Sequence, residues 1–217
     1  MRGRRAWADT RADERAGVIE WNAPDGARAN WLRGAGATRA ELTIMWAGAL
    51  VGIGYVAVMY ARSDPGDWSW WQYALAAFLA WDLVGGAVSN ASNSTKRQYF
   101  GAGFAHVGGA ARIIRAPIAF TALHLHPFLI VALYPHGTWG WAIGMYVGAV
   151  VGAVLVDRVV PQYLQRPAAM LVFCTVMLWS RSWTAPPGWE WFAAIFLAKL
   201  ILAHAVREEP YRPAPGT

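Results

Sequence analysis

Six long apolar stretches, separated by short polar segments, make up most of the chain after residue 41. They cover residues 42–61, 69–89, 113–134, 139–156, 168–183 and 189–206. The first contains no charged residue, and at about 1.5 Å per residue it can cross a hydrocarbon core of roughly 30 Å. Since lipid offers no water to backbone polar groups, each stretch is expected to be a helix. The pattern predicts an all-α integral membrane protein, a bundle of about six transmembrane helices.

The flanking segments differ sharply from these stretches and suggest three regions. Residues 1–40 are polar and mixed in charge, and we expect a flexible or interfacial N-terminal tail. Residues 41–206 are the expected transmembrane domain, and residues 207–217 a short C-terminal tail. The N-terminal tail contains no apolar core of the kind that a signal peptide requires, so we expect it to be retained.

The positive residues predict an orientation for the six spans. With both termini cytoplasmic, sixteen of the nineteen Lys and Arg residues fall on the cytoplasmic side, whereas only Arg62 and Arg181 fall outside. Cytoplasmic segments of membrane proteins carry such an excess, so a multi-pass protein of the cell membrane is predicted. The net charge of +6 is spread between apolar stretches rather than over a soluble face. The expected partner is therefore the lipid bilayer, not nucleic acid.

Charged and polar side chains inside the apolar stretches are the first candidates for a functional site. Asp82, His124 and Lys199 all fall near the middle of their predicted spans. A charge at that depth costs about 2.5–3.5 kcal/mol on insertion scales, so it is expected to have a partner. We therefore predict an Asp82–Lys199 ion pair with His124 nearby. The alternative is a polar cluster that only holds the bundle together.

His126 is the fourth candidate for an ion- or ligand-binding role. On a regular helix it would point about 200° away from His124, so the two rings would not meet. Pro127 complicates this expectation because a proline can kink or unwind a helix, and broken helices often form binding sites in membranes. The other interpretation is one buried histidine and one facing lipid.

Two further groups of residues suggest binding or packing surfaces. Basic side chains in the loop after the second stretch are candidates for binding an anion or a lipid headgroup, although a loop without a ligand has the same composition. They are Lys96, Arg97, Arg112 and Arg115. Four glycines four residues apart form one face of the fourth stretch. They are Gly140, Gly144, Gly148 and Gly152, and they predict close helix packing within the bundle or against a second copy or a membrane-complex partner.

Three functions fit these features. The first is a small transporter or channel-like protein for an ion or small solute. The second is an intramembrane enzyme acting on a lipid or isoprenoid phosphate, with Asp82, His124 or His106 as general base or metal ligand. The third is a non-catalytic subunit of a membrane complex. The single cysteine, Cys174, excludes a multi-cysteine metal centre within one chain. The sequence identifies no cofactor and no defined metal site.

Overall fold

The computed structural model describes residues 18–62, 68–104, 108–209 and 211–212, and most of these residues are helical. The helices are α1 (Arg39–Arg62), α2 (Trp70–Ala91), α3 (Asn93–Phe100), α4 (Ala110–Arg115), α5 (Pro117–Ala122), α6 (His126–Leu133), α7 (Trp139–Val159), α8 (Gln165–Ser180) and α9 (Phe192–Ala205). Single 3₁₀ turns cover Ala102–Phe104 and Gln162–Leu164. Two-residue strands, β1 (Val18–Ile19) and β2 (Tyr211–Arg212), pair antiparallel.

Three of the described helices, α1, α2 and α7, are long and apolar enough to cross a membrane. Helix α1 leaves large apolar side chains uncovered, with Leu50 64% and Val51 67% exposed. An exposed apolar face of this length belongs in lipid rather than in water. The prediction of an all-helical fold is confirmed, and three of its helices have the length and apolar composition that a membrane span needs. The full set of six spans and their orientation remain predictions, because α5–α6, α8 and α9 are shorter.

Capping residues explain where α1 and α7 begin. The Glu41 carboxylate accepts the backbone N–H of Thr38 at 2.7 Å, and the Thr38 hydroxyl accepts the N–H of Glu41 at 3.1 Å. This reciprocal capping box starts α1 just before its apolar run. Thr138 caps α7 in a similar way by accepting the N–H of Trp141. The polar-to-apolar boundaries in the sequence therefore coincide with real helix starts.

The third predicted span, residues 113–134, is not one helix, which corrects the sequence prediction. Helix α4 ends at Arg115, because Ala116 precedes Pro117 and adopts an extended conformation (φ −86°, ψ 111°). A second break separates α5 from α6 at residues 123–125. Pro127 lies in the first turn of α6, where the missing proline N–H costs no intrahelical hydrogen bond. Two prolines thus divide one apolar stretch into three short helices.

Residues 20–38, part of the predicted N-terminal tail, pack against α3. The Ser94 hydroxyl donates to the Arg33 carbonyl at 2.6 Å, and the Asn30 N–H donates to the Gln98 side chain at 2.8 Å. Gly34 has φ +70°, and a Cβ at this position would lie 2.3 Å from the Ser94 and Thr95 backbone. The close approach therefore requires glycine. As a result α3 is buried under this segment, whereas the sequence indicated a loop at this position.

The four glycines of α7 contact side chains of the same chain. A Cβ at Gly144 would lie 2.6 Å from the Trp183 ring, at Gly148 2.9 Å from Val176, and at Gly152 2.5 Å from Val172. Gly140 lies next to the same tryptophan, at 3.8 Å. The predicted close packing within the bundle is therefore present, with α8 side chains filling the stripe. Gly140 is still exposed, and packing of this face against a second copy or a complex partner stays a prediction.

Candidate functional site

Asp82 and Lys199 form the ion pair that their depth predicted. Lys199 Nζ donates to Asp82 Oδ2 at 2.7 Å, and the lysine side chain is only 3% exposed. Gly86, one turn after Asp82, makes room for the lysine, since a Cβ there would lie 2.7 Å from Lys199 Cε. The aliphatic stem of the lysine thus crosses α2 at a glycine to reach the carboxylate.

Both histidines of the broken span join this pair. His126 Nε2 lies 3.7 Å from Asp82 Oδ2, and the His124 and His126 ring centroids are 5.1 Å apart. The regular-helix expectation that the two rings point apart is wrong, because residues 123–125, which include His124, are not helical. His124 is buried, and its Nδ1 lies 2.7 Å from the Phe120 carbonyl. We call Asp82, His124, His126 and Lys199 the polar cluster.

Each residue of the polar cluster lies in or beside an irregular piece of helix. Asp82 lies in a π-helical turn of α2 at Trp81–Gly85, and Lys199 lies in a longer π-helical segment of α9 at Ala198–Ala205. His124 lies in the break between α5 and α6, and His126 is the first residue after it. A π turn adds a residue to the helical repeat and changes the direction of the side chains that follow, and such turns are frequent at functional sites. The sequence carried no signal for either π turn.

A cavity of about 270 Å³ reaches the polar cluster from one end of the bundle. Asp82, His124 and Lys199 form part of its wall, and most of the remaining wall is apolar. The cavity follows α2 as far as Asn90, which is eight residues or about 12 Å beyond Asp82. Trp31–Arg33 also line it. It therefore leads from the middle of the helices towards the end where α2 meets α3.

A second cavity, of about 690 Å³, lies at the opposite end of α1 and is lined by Tyr55, Met59, Arg62 and Tyr73 among others. Between it and the polar cluster the core is aromatic. Four aromatic rings contact one another there, with 4.7–5.8 Å between the centroids of neighbouring rings: Trp68, Tyr73, Tyr134 and Trp189. Phe192 and Phe196, both fully buried, continue this layer as far as the His126 ring.

Three of the four basic residues predicted to bind an anion donate to backbone carbonyls instead, and the fourth does not line the cavity. Lys96 is 1% exposed, and its ammonium donates to the carbonyls of Ala203 and Val206 at the end of α9. Burial lowers the pKa of Lys96 to about 8, although the negative charge of Glu208 acts to raise it. A lysine in this position stabilises a helix C-terminus and has no exposed ammonium for a headgroup.

Arg115, Arg97 and Arg112 likewise do not form part of the cavity wall among the described residues. The Arg115 guanidinium donates to the carbonyls of Tyr99 and Phe104, at 3.2 and 2.6 Å, so it holds the chain after α3 in place. Arg97 is buried and donates to the Gly36 carbonyl at 3.4 Å, whereas Arg112 is exposed. Three of the four positions are therefore structural contacts, not an open anion site.

Two residues near the site were not singled out by the sequence. Phe120 and the fully buried His204 stack at 3.9 Å between ring centroids, and Phe120 also contacts His124 at 4.4 Å. The position of His204 near the end of its span gave no indication of this contact. His106 lies outside the described residues.

Comparison of the chain with protein-family models, curated proteins and solved structures finds no match in any of the three.

Proposed function

We propose that the protein is a small polytopic transporter or channel-like protein for an ion or small solute, and that the polar cluster binds it. The observation that carries this proposal is the cavity that ends at Asp82, His124 and Lys199, partway along the helices. A polar site at a break in a membrane helix, open to one side and closed by an apolar layer on the other, is a common arrangement in transporters.

The proposal includes six spans with both termini on the cytoplasmic side of the cell membrane. The antiparallel pairing of β1 with β2 brings the two ends of the described chain to one side of the bundle. The Arg207 guanidinium also lies 4.9 Å from the Trp21 ring, which gives a second contact between the two tails. A chain that crosses the membrane an even number of times has both termini on the same side. The first cavity would then open to the cytoplasm and the second to the outside.

The geometry supports the other two hypotheses less well. None of the four basic residues predicted to bind a lipid phosphate lines the cavity, and the two cations among the described residues that do are Arg33 and Lys199, the latter already paired with Asp82. The subunit hypothesis depended on the glycine face of α7, which α8 and Trp183 fill from within the chain. The polar cluster and its cavity remain as the features that a function must explain.

Uptake of ions into vesicles tests the proposal. The full-length protein would be reconstituted into liposomes and exposed to a mixture of sodium, potassium, magnesium, calcium, manganese and zinc chlorides. Elemental mass spectrometry of the washed vesicles would then report which ions had entered. We expect the wild type to accumulate at least one ion well above protein-free vesicles, and Asp82→Asn to abolish that uptake, because the substitution removes the only carboxylate of the cluster.

A matched control uses another aspartate that pairs with a neighbouring cation. Asp157 forms an ion pair with Arg158 at 2.9 Å near the end of α7, away from the cavity. Asp157→Asn is expected to keep wild-type uptake. The proposal would be contradicted if folded wild-type protein accumulated none of these ions, or if both aspartate variants transported equally well.

A further inference from the structure

We infer that Asp82, His124 and His126 bind a divalent transition-metal ion, such as zinc, manganese or cobalt, at the end of the cavity. One ring nitrogen of each histidine and one carboxylate oxygen lie within 4.8 Å of one another. Ligands about 2.1 Å from a tetrahedral metal ion lie about 3.4 Å apart, close to the 3.7 Å between His126 Nε2 and Asp82 Oδ2. Two histidines and one carboxylate are a common ligand set for these metals.

The hydrogen bond of His124 prepares this residue to be a ligand. Its Nδ1 lies 2.7 Å from the Phe120 carbonyl, and a carbonyl only accepts, so Nδ1 carries the proton. The lone pair is then on Nε2, the nitrogen that remains to bind a metal. Metal-binding histidines usually donate their other ring N–H to a carbonyl or carboxylate in this manner. The contact also fixes the orientation of the ring.

His126 has the second ring that the site needs. Its Nδ1 is buried and has no hydrogen-bond partner among the described residues. No hydrogen bond therefore holds this ring in place, and small rotations can bring Nε2 to a metal beside Asp82. The break at residues 123–125 allows both imidazoles to face the same carboxylate, although they are only two positions apart.

Lys199 determines how strongly such a site binds. Its ammonium lies 2.7 Å from Asp82 Oδ2 and already neutralises the carboxylate. A divalent ion bound to the same carboxylate would experience repulsion from the lysine in a site with little water. Binding is therefore weakened in the wild type, and a weak site can release its ion. This suits a transported ion better than a permanently bound cofactor, and in that respect the inference depends on the proposed function.

Metal binding to purified protein tests the inference without an activity assay. The full chain in detergent, stripped of metal with a chelator, would be titrated with cobalt(II), whose visible absorption reports nitrogen and oxygen ligands. Zinc affinity would be measured by competition. His124→Ala and His126→Ala are expected to bind at least about tenfold more weakly. His136→Ala removes an exposed histidine outside the cluster and is the matched control, with unchanged affinity expected.

Lys199→Met supplies a change in the opposite direction, which misfolding cannot imitate. Removing the ammonium eliminates its repulsion of the metal, so the affinity is expected to rise at least about tenfold. Zinc should then raise the melting temperature of Lys199→Met more than that of the wild type, since the metal replaces the missing counter-ion. The inference fails if cobalt does not bind, if His124→Ala and His136→Ala bind equally, or if Lys199→Met binds more weakly.

The two proposals can fail separately. Metal binding without ion uptake into vesicles would keep the metal site and contradict transport. Uptake of sodium or potassium by a protein that binds no cobalt or zinc would keep transport and contradict the metal site.

Discussion

Replacing Asp82 or Lys199 alone is expected to destabilise the protein more than replacing both. Asp82→Asn leaves the Lys199 ammonium without its counter-charge, and that side chain is only 3% exposed. Lys199→Met leaves a carboxylate that is 32% exposed and lies 3.7 Å from His126 Nε2. Removing one partner of a buried pair typically costs about 3–5 kcal/mol, most of it from the charge left behind. We expect Asp82→Asn to approach this range and Lys199→Met to cost less, because the remaining carboxylate is partly exposed. The double variant should recover part of it.

Thermal unfolding of the two single variants and the double variant in one metal-free detergent buffer measures this coupling. The double variant is expected to lose less stability than the sum of the singles, by about 0.5–3 kcal/mol. Additive losses would mean two independent sites and would contradict the ion pair. Recovery of stability without recovery of ion uptake would place the pair in the functional centre. Recovery of both would make its role structural.

Gly148→Leu is expected to give the second large loss of stability, by filling the groove that receives α8. A Cβ at Gly148 would already lie 2.9 Å and 3.0 Å from the two Val176 methyl groups, so a leucine would force α7 and α8 apart. Overpacking of this kind costs about 1–3 kcal/mol and can cost more when two helices must separate. The measurement is the melting temperature in detergent, with helix content checked by circular dichroism.

Val147→Leu is the matched control on the adjacent face of α7. Val147 is 50% exposed and points towards the predicted lipid, so a larger side chain meets no neighbour there. Its melting temperature should remain close to that of the wild type. If the two variants melted at the same temperature, the groove would not be a tight contact.

Three of the six predicted spans, those that became α1, α2 and α7, were predictable because their signals are local. The uncharged run of residues 42–61 became most of α1, and the glycine spacing identified the packed face of α7. The Asp82–Lys199 pair was also predictable, since two opposite charges at similar depth avoid the cost of an unpaired charge by binding each other. Each of these predictions needed only the composition of one segment, or the positions of two residues within their predicted spans.

The features that the sequence did not reveal depend on contacts between distant segments. Lys96 looked like a loop residue available to an anion, but the burial of α3 under residues 20–38 directs it at the end of α9. The π turns at Trp81–Gly85 and Ala198–Ala205 leave no pattern in the sequence, because they arise from packing. Pro127 indicated a disturbed helix, yet only the structure shows that both imidazoles turn towards Asp82.

We propose that the polar cluster lies between a first cavity that opens to the cytoplasm and a second cavity that opens to the outside. Three single cysteines on α1, introduced after Cys174→Ser, test it with a membrane-impermeant maleimide. Met45 lines the first cavity, Met59 lines the second, and Val51 between them faces the predicted lipid. We expect Met45→Cys to react only from the cytoplasmic face, Met59→Cys only from the outside, and Val51→Cys from neither. Reaction of Met45→Cys and Met59→Cys from the same face would contradict the account.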